Sequence, residues 1–252
     1  MNKPTLLLVI SCTFFCASPD QAYAQLNLSK WQVGANAGIF IYQGDLTPSP
    51  FGSYRTLSPG FGIYISRVLS PSFLLRTNFA KASLKGADAA YASPWWRRER
   101  NFVFSTPVTE ISELLVWNIF RNTDGDADRK FSPYVYAGAA VTMLRVNRDY
   151  SGMNAAVFDD GSEVVAGLAK DYATPTPRVL PVIPLGAGVE YQLTSHISLT
   201  AETSFRYTFT DYLDGFSKSA NPKKKDYYHS HTIGLVYKFG SKKNWDCPAM
   251  RY

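Results

Sequence analysis

Three clusters of residues in this chain have types and spacing suited to chemistry. His229, Ser230 and His231 set a hydroxyl between two imidazoles, the parts of a nucleophile and its general base. Asp124, Asp126 and Asp128 stand at alternate positions in "DGDADRK", as the first ligands of a calcium loop do. Lys223, Lys224 and Lys225 in "NPKKKD" form a cationic run able to clamp phosphate oxygens, such as those of lipid A. A fourth set is dispersed: Arg76, Glu110, Glu190, Glu202 and Arg206 are charges inside stretches that otherwise alternate apolar and polar residues.

The elements that carry these residues decide what they can do. "ISLTAETSFRYTF", residues 197–209, places Ile197, Leu199, Ala201, Thr203, Phe205, Tyr207 and Phe209 on one face with a period of two. Such a strand is more than twice the usual soluble length, whereas a tilted strand crossing a bilayer needs roughly 9–11 residues. Residues 31–43, 60–68, 73–81, 101–118, 133–144, 182–193 and 227–239 read the same way. In 101–118 Glu113 lands on the apolar register of Ile111, Leu115 and Trp117, and a β-bulge is expected to repair it.

The connections alternate. "LSPS" and "TSH" are short, while the segments around 44–59, 82–100, 145–181 and 212–226 are long and polar, as periplasmic turns and extracellular loops are in outer-membrane barrels. "RNTDGDADRK" is longer than a turn should be. The expected fold is all-β: an eight-stranded antiparallel transmembrane barrel of OmpA-like size. The rival is a secreted β-sandwich, with its core where the barrel has its lipid face. Gly34, Gly38, Gly62, Gly138, Gly186, Gly188 and Gly234 fall on the lumen face, where a narrow barrel needs small residues beside large ones.

Alternation then sorts the chemical clusters. Ser230 falls on the opposite face from His229 and His231, so the base cannot reach the nucleophile, and interface histidines are the better reading. The aspartate run lacks the glycine and distal glutamate of a complete calcium loop and reads as a solvated turn. The lysine run reads equally as a solvated loop. No metal or cofactor is expected. Eight strands leave an interior just wide enough for side chains, so the lumen charges must pair; counting from the periplasmic strand ends sets Arg76 near Glu190 and Glu202, and Arg206 nearer Glu110.

Export is expected from Lys3, the apolar run "TLLLVISCTFFCA", and Ala22 and Ala24 ahead of a cut before Gln25. A lipoprotein cut before Cys12 is the alternative, with an apolar run too short to favour it. The organisation is therefore a signal peptide over 1–24, a barrel over 25–240 and a periplasmic tail over 241–252. With Cys12 and Cys16 removed, Cys247 has no intramolecular partner. The formal net charge of +6 points to an anionic lipid or lipopolysaccharide surface rather than nucleic acid. No segment beyond the signal carries eighteen successive apolar residues, which excludes a transmembrane helix. The tail holds Trp245 and Cys247, candidates for an aromatic anchor and an intermolecular disulfide with a periplasmic partner; a frayed terminus is the plainer reading.

"HTIGLVYKF", ending in Phe239, resembles the closing-strand signal of barrels handled by the assembly machinery. "YQGDL" (42–46), "RRERNFVF" (97–104), "FSPYVYAGAA" (131–140), "IPLGAGVEY" (183–191) and "FTDYLD" (209–214) together resemble a family of Bacteroidetes outer-membrane proteins that includes PorG of the type IX secretion system. The chain departs from the pattern after Asp214, at Gly215 and Phe216. The resemblance implies a small non-enzymatic outer-membrane barrel serving protein secretion or envelope assembly, with periplasmic ring proteins as partners. A lipid-modifying outer-membrane enzyme and a small passive pore are the alternatives.

Overall fold

The alternating stretches form strands. A computed structural model describes residues 28–120, 130–221 and 225–239, and within them lie β1 (Trp31–Gln43), β2 (Ser58–Val68), β3 (Phe73–Ala87), β4 (Val103–Asn118), β5 (Phe131–Leu144), β6 (Asn147–Asp149), β7 (Val179–Gln192), β8 (Ile197–Thr208) and β9 (Tyr227–Lys238). The short β6 extends the line of β5 and pairs with the start of β4. The other eight run in the order β3-β2-β1-β9-β8-β7-β5-β4, and β4 pairs back to β3, so the sheet closes on itself with every neighbour antiparallel.

The faces are inverted relative to a soluble protein. Phe61, Ile63, Ile65, Phe73, Leu75, Ile111, Leu115, Ile183, Leu199, Ile233 and Leu235 are exposed on the outer wall, while Ser66, Arg76, Asn78, Glu110, Ser112, Thr142, Thr200, Ser204 and Arg206 are buried inside. An apolar belt this extensive has no place on a soluble monomer; facing lipid, it is what holds a barrel in a bilayer. Trp31, Phe73, Trp117, Phe131, Tyr191 and Tyr237 lie toward one rim of the wall, the girdle position of interfacial aromatics. That rim carries the short turns at 69–72 and 193–196, and the opposite rim carries the long loops. No helix is long and apolar enough to cross a membrane among the described residues.

Strand boundaries differ from the sequence expectation chiefly in β3, which runs on to Ala87, with Ala87 still paired to Val103. Its outward residues beyond Phe79 are Lys81, Ser83 and Lys85, so the apolar signal stops where the lipid does while the hydrogen-bonded ladder continues. The bulge expected at Glu113 is absent. The β3–β4 register is unbroken from Phe73↔Trp117 to Ala87↔Val103, and it leaves Glu113 on the outer wall opposite Thr77, whose hydroxyl donates to it at 2.8 Å. The proposed signal peptide, the 241–252 tail and the Asp124–Asp126–Asp128 run lie outside the described residues.

The long loops, expected only to be polar, contain order of their own. α1 (Trp96–Arg100) lies between β3 and β4, and α2 (Glu163–Ala173) between β6 and β7. Ser162 caps α2, its hydroxyl accepting from the Val165 amide at 3.3 Å.

Close strand approach depends on missing side chains. A Cβ at Gly138 would stand 1.9 Å from the Glu113 carbonyl oxygen across the β4–β5 ladder, a contact no backbone adjustment of a tenth of an ångström relieves. Gly138→Ala is therefore expected to destabilise the barrel by about 2 kcal/mol or more, read as a lower midpoint in urea unfolding from detergent micelles. An unchanged midpoint would show that the two strands can part without cost.

Candidate functional site

The interior is built in layers along the barrel axis. Toward the short-turn end, Tyr134 and Tyr136 of β5 stand opposite Gly188 and Gly186 of β7 in the register. A Cβ at Gly186 would sit 2.4 Å from the Tyr136 ring, and one at Gly188 would sit 2.7 Å from the Tyr134 ring. Each phenol thus lies across the wall over the space its partner glycine leaves. "FSPYVYAGAA" and "IPLGAGVEY" are two halves of one packing unit.

On this floor rests the first ion pair. Arg76 donates to Glu202 at 2.6 Å with both side chains 8% exposed, the Tyr134 hydroxyl donates to the same carboxylate oxygen at 2.5 Å, and the guanidinium lies 4.4 Å from the Tyr64 ring centroid. Farther out, Arg206 donates to Glu110 at 3.3 Å and to the Ser230 hydroxyl at 2.5 Å, while the Tyr228 hydroxyl donates to Glu110 at 2.8 Å. Glu190 meets Lys238 rather than Arg76. Lys238 ends the last strand, and side-chain reach across the β7–β8–β9 wall places it over Glu190, which counting along strands could not reveal. Between the two arginine layers a cavity of about 30 Å3 remains, lined by Asn78, Glu110, Ser112, Glu202, Ser204 and their neighbours. That is room for about one or two waters.

The remaining chemical candidates are not brought together. Ser230 faces the lumen and accepts from Arg206. His229 and His231 face outward, where the Tyr54 hydroxyl lies 3.3 and 3.2 Å from their Nε2 atoms, and the Thr203 hydroxyl stands 3.0 Å from His231 Nδ1. Lys225 is exposed beside Asp226, and Lys223 and Lys224 lie outside the described residues, as do Trp245 and Cys247. Among the described residues no group of three or more His, Cys, Asp or Glu side chains is arranged to hold a metal.

Above the lumen the long loops fold into a cap held by buried carboxylates, Asp88 bracing the β3–β4 loop from within and Asp171 tying α2 to the loop before β9. Asp88 is fully buried and accepts from Arg97 at 2.9 Å and from Arg100 at 2.7 and 2.9 Å; Arg97 also donates to the Asp45 carbonyl at 3.1 Å. Asp171, on α2, accepts from the Lys218 and Ser219 amides, both at 2.9 Å, and from the Ser219 hydroxyl at 2.7 Å. Phe102 stacks on Phe216 with centroids 4.3 Å apart. After Asp214, Gly215 adopts φ +84°, a conformation that favours glycine, and its carbonyl accepts from Arg148 at 2.7 Å.

At the centre of the cap Tyr42 Oη stands 2.6 Å from Asp214 Oδ2 and 2.6 Å from Asp226 Oδ1, and it accepts from the Asp45 amide at 2.9 Å. A phenol has one proton to donate. Two contacts this short with two carboxyl groups require one carboxyl to carry a proton and donate it to the phenol oxygen. Burial, and then the charge of Asp226, pushes the Asp214 carboxyl well above its ordinary value, and burial raises Asp226 likewise. Tyr42, Asp45, Arg97, Arg100 and Asp214 all lie in the quoted phrases "YQGDL", "RRERNFVF" and "FTDYLD". Sequence reasoning did not single them out for this role, because it sorted side chains by strand face and these act in loops.

Two outcomes are expected. Arg206→Ala should cost about 3–5 kcal/mol in unfolding experiments because it strands a buried carboxylate, whereas Arg206→Met with Glu110→Gln should come close to the parent; equal losses in both would refute a pairing role. For the carboxyl pair the folded value is raised, so its contribution is fully present below the unfolded carboxyl value and lost as pH rises through the raised one. Protease cleavage within 210–226 should therefore accelerate as pH rises from about 4 to about 8, the ordinary and the raised values of Asp226, and Asp226→Asn should flatten that profile.

Comparison with known proteins gives a family and a set of distant folds. No curated protein matches the sequence. Among solved structures, Neisserial surface protein A is similar at 13% identity and a TM-score of 0.48, over 83% of this chain and 97% of that one. The outer membrane protein OprG from Pseudomonas aeruginosa is similar at 10% identity and 0.45, over 83% and 96%. The outer membrane enzyme PagL is similar at 10% identity and 0.35, over 81% and 97%. At the level of sequence, residues 7–248 match the family described as "Domain of unknown function (DUF6089)", and the chain belongs to that family.

Proposed function

We propose that this barrel is a non-enzymatic structural or assembly component of the outer membrane, and that in its sharper form it serves a protein secretion machinery of the type IX kind. The observation that carries the reading is the stoppered lumen. Two layers of paired arginine and glutamate with their tyrosines leave a cavity of about 30 Å3, far short of a channel, and a tied cap of loops closes the outer end. A passive pore would need the reverse.

The enzyme reading is weakened by the same geometry. Ser230 accepts from Arg206 inside the wall while both neighbouring imidazoles lie outside it. What remains is a rigid plug with an ordered outer surface and a periplasmic rim. The resemblance of five phrases to those of secretion-associated barrels supports assigning that rim, and the 241–252 tail with Trp245 and Cys247, to contact with periplasmic ring proteins. Lipopolysaccharide is the proposed partner of the outer loops, through Lys225 and its two neighbours.

The test is to cross-link and affinity-purify the tagged chain from its own outer membrane and to delete it from the cell. Co-purified periplasmic ring proteins, reduced when residues 241–252 are removed, and loss of cargo secretion with unchanged lipid A are the expected results. Normal secretion with altered lipid A would replace this reading with the enzymatic one.

A further inference from the structure

At the long-loop end of the outer wall, cations gather in one sector. Lys81 and Lys85 of β3 and Arg145, just after β5, are exposed there, whereas β2, β7, β8 and β9 end outward in Pro59, Val179, Tyr207 and Tyr227. The register sets the three around one point. Lys81 lies in the outward row with Thr109 and Met143, and Lys85 in the row with Ser105 and Asn147. Between these rows Ser83 stands opposite Pro107, whose carbonyl accepts from the Arg145 amide at 3.2 Å. Four residues separate the lysines, about 13 Å of strand, and Arg145 lies two strands or about 10 Å to one side. Long side chains can close that spread from three directions. The floor between them is the Ser83 and Ser105 hydroxyls, 3.3 Å apart; one proton joins the two, and the other is left for an outside acceptor.

Among the described residues none of the three cations has an ion-pair partner. The acids nearest on this wall are held elsewhere: Glu113, two outward rows below Lys81, accepts from Thr77 at 2.8 Å, and Asp149, one row beyond Lys85, accepts from the Ser151 amide at 2.9 Å. Depth says what faces the cluster. Counted from Phe73 at the short-turn rim, the roughly 9–11 residues that a tilted strand needs to cross end at Lys81 to Ser83, so the cluster stands where hydrocarbon gives way to lipid headgroups. Directly below it the next outward row is Phe79, Ile111 and Val141, which are 37%, 50% and 50% exposed. Three cations and a spare hydroxyl directly above an apolar wall match an anionic headgroup above its acyl chains.

The geometry points to a binding site for a phosphate of lipid A, with Lys81, Lys85 and Arg145 on the phosphate oxygens, the Ser83–Ser105 pair beneath them and acyl chains along Phe79, Ile111 and Val141. The inference deepens the reading of lipopolysaccharide as a partner by moving the contact from the loop lysines to the wall, and it does not rest on the secretion role.

The test is to titrate the chain, refolded in uncharged detergent micelles, with bis-phosphorylated lipid A and to count bound lipid by native mass spectrometry. One lipid A per chain is expected, with dephosphorylated lipid A and phosphatidylglycerol bound much more weakly. Lys81→Gln, Lys85→Gln and Arg145→Gln should each weaken binding about fivefold and the triple variant about a hundredfold, all retaining the gel mobility shift on boiling that reports a folded barrel; Lys225→Gln should change nothing. Unchanged affinity in the triple variant, an equal loss from Lys225→Gln, or equal binding of the dephosphorylated lipid or of phosphatidylglycerol would overturn the site. A loss confined to Lys225→Gln would return the lipid to the loops, and none of these outcomes bears on whether ring proteins co-purify.

Discussion

Inside a bilayer an unpaired amide has no water to turn to, so the whole molecule depends on the ladder that joins its first spanning strand to its last. Twelve residue pairs, from Gln32↔Lys238 to Gln43↔Tyr227, close β1 on β9. Without them two edges would face hydrocarbon, and no arrangement of side chains could offset that cost. Closure at eight strands then sets the width of the interior. The tyrosine-over-glycine floor, the stacked arginines and the absence of a channel follow from that width.

The narrow interior turns polarity into a packing problem. Residues that face inward cannot be hydrated as in a wide porin, yet an alternating strand with an apolar outer face is polar within. The chain meets this by pairing each guanidinium with a carboxylate and adding a phenol or hydroxyl: Tyr134 on Glu202, Tyr228 on Glu110, Ser230 on Arg206. Such pairs add little net stability over apolar packing. Their effect is to specify a register, since a slip of one residue would turn every charge toward lipid.

Much of this was legible beforehand where the physics is local. A period of two sustained over a dozen residues reports a spanning strand, and short connections alternating with long ones report orientation. Arg76 with Glu202 and Arg206 with Glu110 follow from counting along strands. Glu190 with Lys238 does not, because side-chain reach at the rim decides it. Glu113 misled for a different reason: the apolar pattern was assumed to hold everywhere on the wall, and a bulge was invoked to protect the pattern when the register simply carries the carboxyl into lipid. The cap was out of reach, since Tyr42 meets Asp214 and Asp226 across 172 and 184 positions of chain. Ser162 ahead of "EVVAGLAKDYA" was a readable helix start passed over in a segment judged only by its polarity.

The contact between Tyr42 and Asp226 has a consequence for the order of events in assembly. Tyr42 lies at the outer end of β1, and Asp226 immediately precedes β9, so the two meet only when the first and last strands have come side by side. The contact is a clasp across the seam, and it cannot fasten while the seam is open. A half-assembled chain is left with loops unbraced and carboxyl groups in water, whereas a completed one withdraws them together. The cap thus records, on the side of the long loops, that closure within the membrane has finished.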